Sequence, residues 1–189
     1  YGGYLATMCE RYGAVGGING GAYYDVNGAG LGGTPQGLTI IDGVCYDDAD
    51  GGVCSFVGFD ANHILHTGYM TYADAQAKGI VDGVTFEPVL IVNGQMEDTA
   101  VLNTGTNPRS AIGQRADGAV LMLVIDGRQV HSAGATQQDV AEVMLDYGAV
   151  NACSLDGGSS TCMWFNGEYL NSISGGSRAR WLPDAFLVK

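Results

Sequence analysis

Apolar residues recur along the chain in short runs separated by turn residues, a pattern typical of a protein rich in β-strands. Asp117-Gly118 lies between two such runs and predicts a type I′ hairpin, and Asn166-Gly167 marks a second hairpin. Strands are predicted over 14–18, 38–41, 53–59, 64–69, 81–92 with an interruption at Pro88, 110–116, 119–125, 150–155, 161–165, 168–170 and 185–189.

Helical spacing is confined to a few segments. An apolar stripe over 5–12 predicts one helix, and Thr71-x-x-Asp74 and Thr136-x-x-Asp139 have the form of capping boxes that open two more. The polar segment 93–107 is predicted to be a loop. Strands outnumber helices about three to one, so the predicted fold class is α+β. We expect mixed, largely antiparallel sheets covered by two or three helices, with Gly-rich loops forming one cleft.

The chain has no internal repeat and no linker, so we expect a single domain over residues 1–189. It begins at Tyr1 without Met, inside a predicted helix, and we expect it to be a fragment that lacks an N-terminal segment. The 31 glycines predict many tight turns and close backbone approaches.

The net charge of the chain argues against some kinds of binding partner. Eight basic and twenty acidic residues give a net charge of −12, which argues against a nucleic acid or an anionic membrane surface as the partner. The longest apolar run, over 119–125, is too short to cross a bilayer. We therefore expect no membrane span and no nucleic-acid partner.

The cysteine spacing does not point to a metal site. Cys45 and Cys54 flank an acidic loop between two strand-like runs, and both a hairpin disulfide and reduced, buried thiols fit this pattern. No C-x-x-C pair occurs and the three histidines are scattered, so we expect neither a metal nor another cofactor.

One candidate site follows the predicted strand over 150–155. Asp156 directly follows this strand. Consecutive backbone N–H groups are then exposed by Gly157, Gly158, Ser159 and Ser160. Such a run can fold into an anion-binding nest beside a carboxylate. The alternative is a tight turn between strands in which Asp156 accepts backbone N–H bonds.

Arginines at the ends of strands are candidate phosphate ligands. Arg109 follows Pro108 at the mouth of a strand, and Arg180 precedes the closing strand of the chain. Surface ion pairs are the alternative for both in such an acidic chain. Arg128 is a weaker candidate, because a turn at Asp126-Gly127 explains that motif by itself.

A third polar cluster follows the first predicted strand. Asn19 can donate to a sugar hydroxyl or a phosphate, and Gly20 and Gly21 leave room for a ligand. Asp25 lies shortly after them and is a second carboxylate candidate. Tyr23 and Tyr24 fit a stacking wall for a ligand and core aromatics of a short strand about equally well.

Taken in order, these motifs resemble the phosphodiester glycosidase family. The resemblance covers nearly the whole chain and rests on the segments NGGAYYD, TPQGLTIIDG, VGFD, PRSAIG, DGR, LDGGSST and R-x-x-x-D-A at Arg180. Three departures are small: Ser159 stands where a third glycine is common, Ser110 where threonine is usual, and Tyr24 where phenylalanine is common.

The resemblance implies hydrolysis of a sugar-1-phosphodiester at the anomeric carbon. A phosphomonoester is a good leaving group, so Arg109, Arg180 and the nest would stabilise the departing charge, and one carboxylate would suffice. Asp156 would be that carboxylate, as nucleophile or as base for water, with Asp25 as the second candidate. The family also implies export to the extracellular space or cell surface, and the absence of an N-x-[ST] sequon favours a bacterial source.

Two other functions stay open at this stage. A phosphodiesterase would cut the P–O bond, although metal-dependent versions need dense His and Asp clusters. A non-catalytic module would bind cell-surface polysaccharide. The expected partner is a small-molecule or glycan sugar-phosphodiester held as a single group, since an acidic surface does not suit a long anionic polymer.

Overall fold

The structure is a computed structural model that describes residues 1–26, 30–174 and 179–189. In these ranges it contains four α-helices: α1 Leu5–Tyr12, α2 Tyr72–Ala77, α3 Thr99–Leu102 and α4 Gln137–Asp146. The strands within the same ranges are β1 Gly16–Asn19, β2 Thr39–Ile41, β3 Val44–Asp47, β4 Cys54–Asp60, β5 Leu65–Met70, β6 Ile80–Thr85, β7 Val89–Val92, β8 Gln95–Met96, β9 Arg109–Arg115, β10 Val120–Ile125, β11 Ala149–Leu155, β12 Met163–Phe165, β13 Glu168–Tyr169 and β14 Ala185–Val188.

Local sequence signals explain where the longer helices begin and end. Thr71 and Thr136 each accept the backbone N–H of the aspartate three residues later, and that aspartate accepts the N–H of the threonine in return. These capping boxes satisfy N–H groups that the first helical turn leaves without partners. Helix α1 ends at Gly13, whose φ of 65° is in the left-handed region that glycine tolerates.

The strands form three sheets, with orders β13-β12-β1-β14, β10-β9-β11-β7-β8 and β3-β2-β6-β4-β5. The pairings recorded between these strands are antiparallel. The predicted α+β class with largely antiparallel sheets is therefore confirmed. Helix α3 adds a fourth helix to the two or three expected.

One apolar cluster joins the three sheets. Ile18 of β1, Val57 of β4, Ile112 of β9 and Leu155 of β11 belong to it, and these four side chains are fully buried. Burying one such side chain contributes about 1.5 to 3 kcal/mol to folding. Strand β1 is thus held firmly up to its last residue, Asn19, and β11 up to the residue before Asp156.

Two local expectations need correction. The hairpin at Asp117-Gly118 exists, but only Gly118 has a positive φ, at 87°, and its N–H donates to the carbonyl of Arg115. This pattern is a three-residue connection rather than a type I′ turn, which needs positive φ at both central residues. At Asn166-Gly167 both φ angles are positive, at 47° and 100°.

The cysteines are free thiols. Cys45 lies on β3 and Cys54 on β4, and β2 and β6 separate these two strands in the sheet. The two residues therefore do not face each other across a hairpin, because the segment between them does not join neighbouring strands. Neighbouring strands lie about 4.8 Å apart, so three such steps exceed the reach of a disulfide.

No helix within the described ranges has the length and apolar character needed to cross a bilayer.

Candidate functional site

Asn19, at the end of β1, ties three distant segments together. Its side chain is fully buried. The Nδ2 atom donates to the carbonyl of Asp156 at 2.7 Å, and Oδ1 accepts from the hydroxyl of Ser110 at 2.7 Å and from the N–H of Cys162 at 3.1 Å. The structure thus brings the Asn19 and Asp156 motifs together through hydrogen bonds inside the protein.

Asp156 follows the last residue of β11, and its own N–H donates to the carbonyl of Gly20 at 3.0 Å. Burial raises the pKa of its carboxyl group to about 6, well above the ordinary value for aspartate. Hydrogen bonds from the Ser160 hydroxyl and the Gly157 N–H, and the positive charge of Arg180, act in the opposite direction. Because the pKa of Asp156 is raised overall, burial outweighs these three groups, which favour the ionised form.

The turn at residues 157–160 supplies fewer free amides than a full anion nest. Gly158 has a φ of 61°, a conformation that glycine adopts at little cost. Its N–H donates to the carbonyl of Pro108 at 3.0 Å, and the N–H of Ser160 donates to the carbonyl of Gly157 at 3.1 Å. Because the Gly157 N–H also bonds the Asp156 carboxyl, three of the four expected donors are engaged within the protein.

Asp25 and Arg180 form a two-pronged ion pair. Nη1 and Nη2 of Arg180 donate to Oδ2 and Oδ1 of Asp25 at 2.8 and 2.9 Å, and the N–H of Gly30 donates to Oδ1 at 2.6 Å. The guanidinium of Arg180 holds the pKa of the Asp25 carboxyl below its usual value. Asp25 and Asp156 are both aspartates of the same region, yet their pKa values are displaced in opposite directions.

Arg180 also connects this ion pair to the turn that follows Asp156. Nη1 lies 3.4 Å from the Ser159 hydroxyl, and the guanidinium carbon lies 5.4 Å from the centre of the Tyr23 ring. The Tyr23 hydroxyl is 3.4 Å from the Ser160 hydroxyl. A continuous set of polar contacts thus runs from Asp25 to Asp156.

Gly20 and Gly21 pass beside a further carboxyl group, that of Asp184. The N–H of Gly21 donates to Oδ1 of Asp184 at 2.8 Å. At Gly20 a side-chain carbon would overlap the Asp184 carboxyl, so only glycine fits between Asn19 and Gly21. Burial raises the pKa of Asp184 to about 6, and the charge of Asp156 adds to this effect.

Arg109 points away from Asn19, because side chains alternate along a strand and the next residue, Ser110, faces Asn19. Its Nε donates to the carbonyl of Ala135 at 3.0 Å, and Nη2 donates to Thr104 and to the carbonyl of Gly105 at 2.9 and 2.7 Å. Burial lowers the pKa of Arg109, and the nearby charge of Arg128 lowers it further.

Arg128 reaches the turn after Asp156 from the other side. Nε and Nη2 donate to Oδ1 of Asn107 at 3.2 and 2.7 Å. A side-chain carbon at Gly158 would lie 3.4 Å from Nη1 of Arg128. Neither Arg109 nor Arg128 forms an ion pair with a carboxylate of the described residues.

The structure therefore brings Asn19, Gly20, Gly21 and the segment 156–160 together, with Asp25 and Arg180 beside them. Among the predicted residues, only the guanidinium of Arg109 is directed elsewhere, towards Arg128. The shared cleft expected of the Gly-rich loops stays a prediction. Within the described ranges, no three His, Cys, Asp or Glu side chains converge as a metal site requires.

Two residues that were not among the main sequence candidates, Arg128 and Asp184, also lie in this region. For Arg128 the available signal was its place directly after Gly127 in a chain with only eight basic residues. For Asp184 it was the R-x-x-x-D-A motif that begins at Arg180.

A sequence model of the phosphodiester glycosidases matches residues 12–189. The chain belongs to the phosphodiester glycosidase family. It is 35% identical over 157 residues to YomE, an uncharacterised SPbeta prophage-derived protein of Bacillus subtilis strain 168. That match covers 76% of this phosphodiester glycosidase chain and 24% of YomE, so the chain spans about a quarter of its relative.

Solved structures share the fold of this phosphodiester glycosidase. The auto-inhibited catalytic domain of zebrafish N-acetylglucosamine-1-phosphodiester alpha-N-acetylglucosaminidase matches the whole chain, with a TM-score of 0.80, 20% identity and 68% of its own length covered. A candidate exported protein of Burkholderia pseudomallei also matches the whole chain, with a TM-score of 0.73, 18% identity and 68% of its length. At these identities the likeness establishes the fold alone.

Proposed function

We propose that the protein hydrolyses a sugar-1-phosphodiester at the bond between the anomeric carbon and oxygen. The observation that carries this proposal is the environment of Asp156, a buried carboxyl group with a pKa raised to about 6 at the start of a turn that Arg128 reaches near Gly158. Arg128 and its neighbour Arg109 form no ion pair with a carboxylate of the described residues. A carboxyl group poised near neutral pH and a cationic site for a phosphoryl group are what this reaction needs.

In this reaction Asp156 acts either as base or as nucleophile. As base, it takes a proton from water while the water oxygen bonds to the anomeric carbon and the phosphomonoester leaves with the bonding electrons. As nucleophile, its carboxylate oxygen bonds to the anomeric carbon while the phosphomonoester leaves with the bonding electrons, and water then hydrolyses the glycosyl ester. Both routes release free sugar and a phosphomonoester, the first with inversion and the second with retention of the anomeric configuration.

The phosphate side of the substrate would lie against Arg128 and Arg109. Nη1 of each arginine makes no hydrogen bond to a described residue, while the other guanidinium nitrogens hold the chain in place. Two positive charges on one phosphoryl group stabilise the leaving phosphomonoester, so no acid is needed to protonate it. Asp156 is then the only titratable group that the reaction requires.

Asp25, the second catalytic candidate, is assigned a positioning role. Both of its oxygens are engaged by Arg180, and Oδ1 also accepts the N–H of Gly30. The pair places Arg180 against Tyr23 and Ser159. Asn19, Gly20 and Gly21 likewise position Asp156 rather than contact the sugar, since the polar atoms of Asn19 bind the protein.

The substrate class follows from charge and from the family. We expect a single phosphodiester on a small molecule or glycan, because the net charge of −12 disfavours a long anionic polymer. N-acetylglucosamine-1-phosphodiesters are the first compounds to test, since the zebrafish protein of the same fold is named for that substrate. An extracellular location agrees with the candidate exported protein of similar fold.

The proposal is tested by hydrolysis of a fluorogenic sugar-1-phosphodiester in ¹⁸O-labelled water. Attack at carbon leaves the released phosphomonoester unlabelled, whereas a phosphodiesterase would place the label in the phosphate. Binding without turnover would indicate a polysaccharide-binding module. Asp156→Asn should lower kcat by about 10²- to 10⁴-fold, the range for loss of a general base, and unchanged turnover would refute the role of Asp156.

A further inference from the structure

Asp184 is a buried carboxyl group that the proposed reaction does not use. It directly precedes β14, and its side chain lies almost entirely inside the protein, with 7% of the residue exposed. Oδ1 accepts the N–H of Gly21, whereas Oδ2 is buried and has no hydrogen-bond partner among the described residues. A buried carboxyl group with one oxygen that lacks a hydrogen bond destabilises the folded protein. A role of Asp184 in the site would explain why the residue is found here.

Gly20 joins Asp184 to Asp156. The carboxyl group of Asp184 lies directly against the α-carbon of Gly20, where no side chain would fit. The carbonyl of the same Gly20 accepts the N–H of Asp156. Asp184 and Asp156, which are 28 positions apart in the sequence, therefore both contact Gly20. Gly20 has no side chain that could shield the two carboxyl groups from each other.

We propose that Asp184 is a positioning residue of the site: its carboxyl group fixes the Gly20–Gly21 segment behind Asp156, and its negative charge, when present, opposes the ionisation of Asp156. The effect of Asp184 on catalysis rests on the proposed function. The interaction between the two carboxyl groups is inferred from the contacts around Gly20 alone.

The other charged groups around these two carboxyls are few. Asp25 and Arg180 face Asp156 and act on it with opposite signs. Tyr23 and Cys162 also lie within electrostatic range of Asp156, and burial raises the pKa of both, that of Cys162 to about 12.

Tyr23 and Cys162 are thus neutral in the acidic range. Among the described groups, Asp156 is the one whose charge acts on Asp184. Two interacting carboxyls titrate in two macroscopic steps that belong to the pair.

The sign of the effect follows directly. A negative charge on Asp184 disfavours ionisation of Asp156, so removing that charge lets Asp156 ionise at lower pH. Asp184→Asn keeps the side-chain volume and keeps an oxygen to accept the N–H of Gly21. The substitution therefore removes the charge and leaves the local hydrogen bond.

The test is a ¹³C NMR titration of the side-chain carboxyl groups in the whole chain, compared between wild type and Asp184→Asn. We expect the Asp156 transition to move to lower pH by about one unit. The matched control is Asp146→Asn, an exposed aspartate at the end of α4, beyond the opposite end of β11, and it should leave the transition in place. An Asp156 transition that is the same in wild type and Asp184→Asn would overturn the proposal.

A second measurement covers the case in which Asp184→Asn does not fold. In the wild-type protein the Asp156 signal should titrate in two steps, one of which coincides with the titration of Asp184. A single Asp156 step that is independent of Asp184 would overturn the proposal. Neither measurement depends on turnover, so failure of the proposed glycosidase activity and failure of this inference are observed separately.

Turnover adds a third comparison where sugar-phosphodiester hydrolysis is established. The acidic limb of the kcat/KM profile should move in Asp184→Asn by the same amount as the NMR transition. A purely structural role for Asp184 would lower activity at every pH and leave the limb where it is.

Discussion

Arg180 and Arg128 both reach the turn after Asp156, but their surroundings differ. Arg180 is matched by a carboxylate, because both of its terminal nitrogens donate to Asp25 at 2.8 and 2.9 Å. Arg128 donates to the neutral side chain of Asn107 and lies within electrostatic range of a second cation, Arg109. One region is balanced in charge, and the other accumulates positive charge.

From this difference we infer which arginine belongs to the scaffold and which to the proposed ligand site. A balanced, two-pronged ion pair satisfies its own groups and holds two segments in register. Two neighbouring guanidinium groups without a carboxylate among the described residues raise the energy of the free protein, and an anion relieves that repulsion. We therefore place the phosphoryl group of the substrate with Arg109 and Arg128, and we assign Arg180 and Asp25 to the frame.

The largest effect that distinguishes the two regions is expected from Arg128→Ala. Loss of one cation from the phosphate site should lower kcat/KM by about 100-fold, the usual cost of removing one donor from a charge-stabilising site. Steady-state kinetics on a sugar-1-phosphodiester measures the change. The control is Arg115→Ala, which removes an exposed arginine paired with Asp117. The same kcat/KM for Arg128→Ala and wild type would show that the phosphate does not bind in this region.

A smaller effect, on stability rather than on binding, is expected from Asp25→Asn. The change leaves the largely buried Arg180 without its anionic partner and should lower the free energy of unfolding by about 1 to 2 kcal/mol. Urea unfolding at neutral pH measures this. The affinity for inorganic phosphate should stay within about twofold of wild type, and a large loss of affinity would mean that Arg180 belongs to the ligand site.

The smallest effect concerns inorganic phosphate as a ligand. At a concentration about five times its Kd, phosphate should raise the free energy of unfolding by about 1 kcal/mol, because it binds only the folded protein. Thermal melts with phosphate, and with chloride at equal ionic strength, measure the difference. The increase should persist in Asp25→Asn and vanish in Arg128→Ala. The reverse pattern would exchange the roles that we assign to the two regions.

Signals within a few residues of each other were predicted well from the sequence. The capping boxes at Thr71 and Thr136, the hairpin at Asn166-Gly167 and the strands that lead to Asn19 and Asp156 depend on neighbouring residues, and local sequence records those preferences directly. Helix α3 and strand β3 were missed because each has only four residues, too few to show a helical or strand period.

Contacts between distant segments were the harder part. Nothing near Asp184 in the sequence indicates that its carboxyl group lies against Gly20, and nothing near Arg128 indicates that it reaches Gly158. These contacts depend on which strands become neighbours. The direction of Arg109 was within reach, since the alternation of side chains along a strand places Arg109 opposite to Ser110.

In the proposed reaction, the ionised carboxylate of Asp156 is the reactive group. Its pKa is raised to about 6, so the reactive carboxylate predominates above that pH and is lost as the pH falls through it. The most direct test is the pH dependence of kcat/KM for a sugar-1-phosphodiester, measured between pH 4.5 and 8 in buffers of constant ionic strength. We expect kcat/KM to be level above about pH 7 and to fall about tenfold per pH unit below about pH 6. A rate that stays level down to pH 4.5 would contradict the claim.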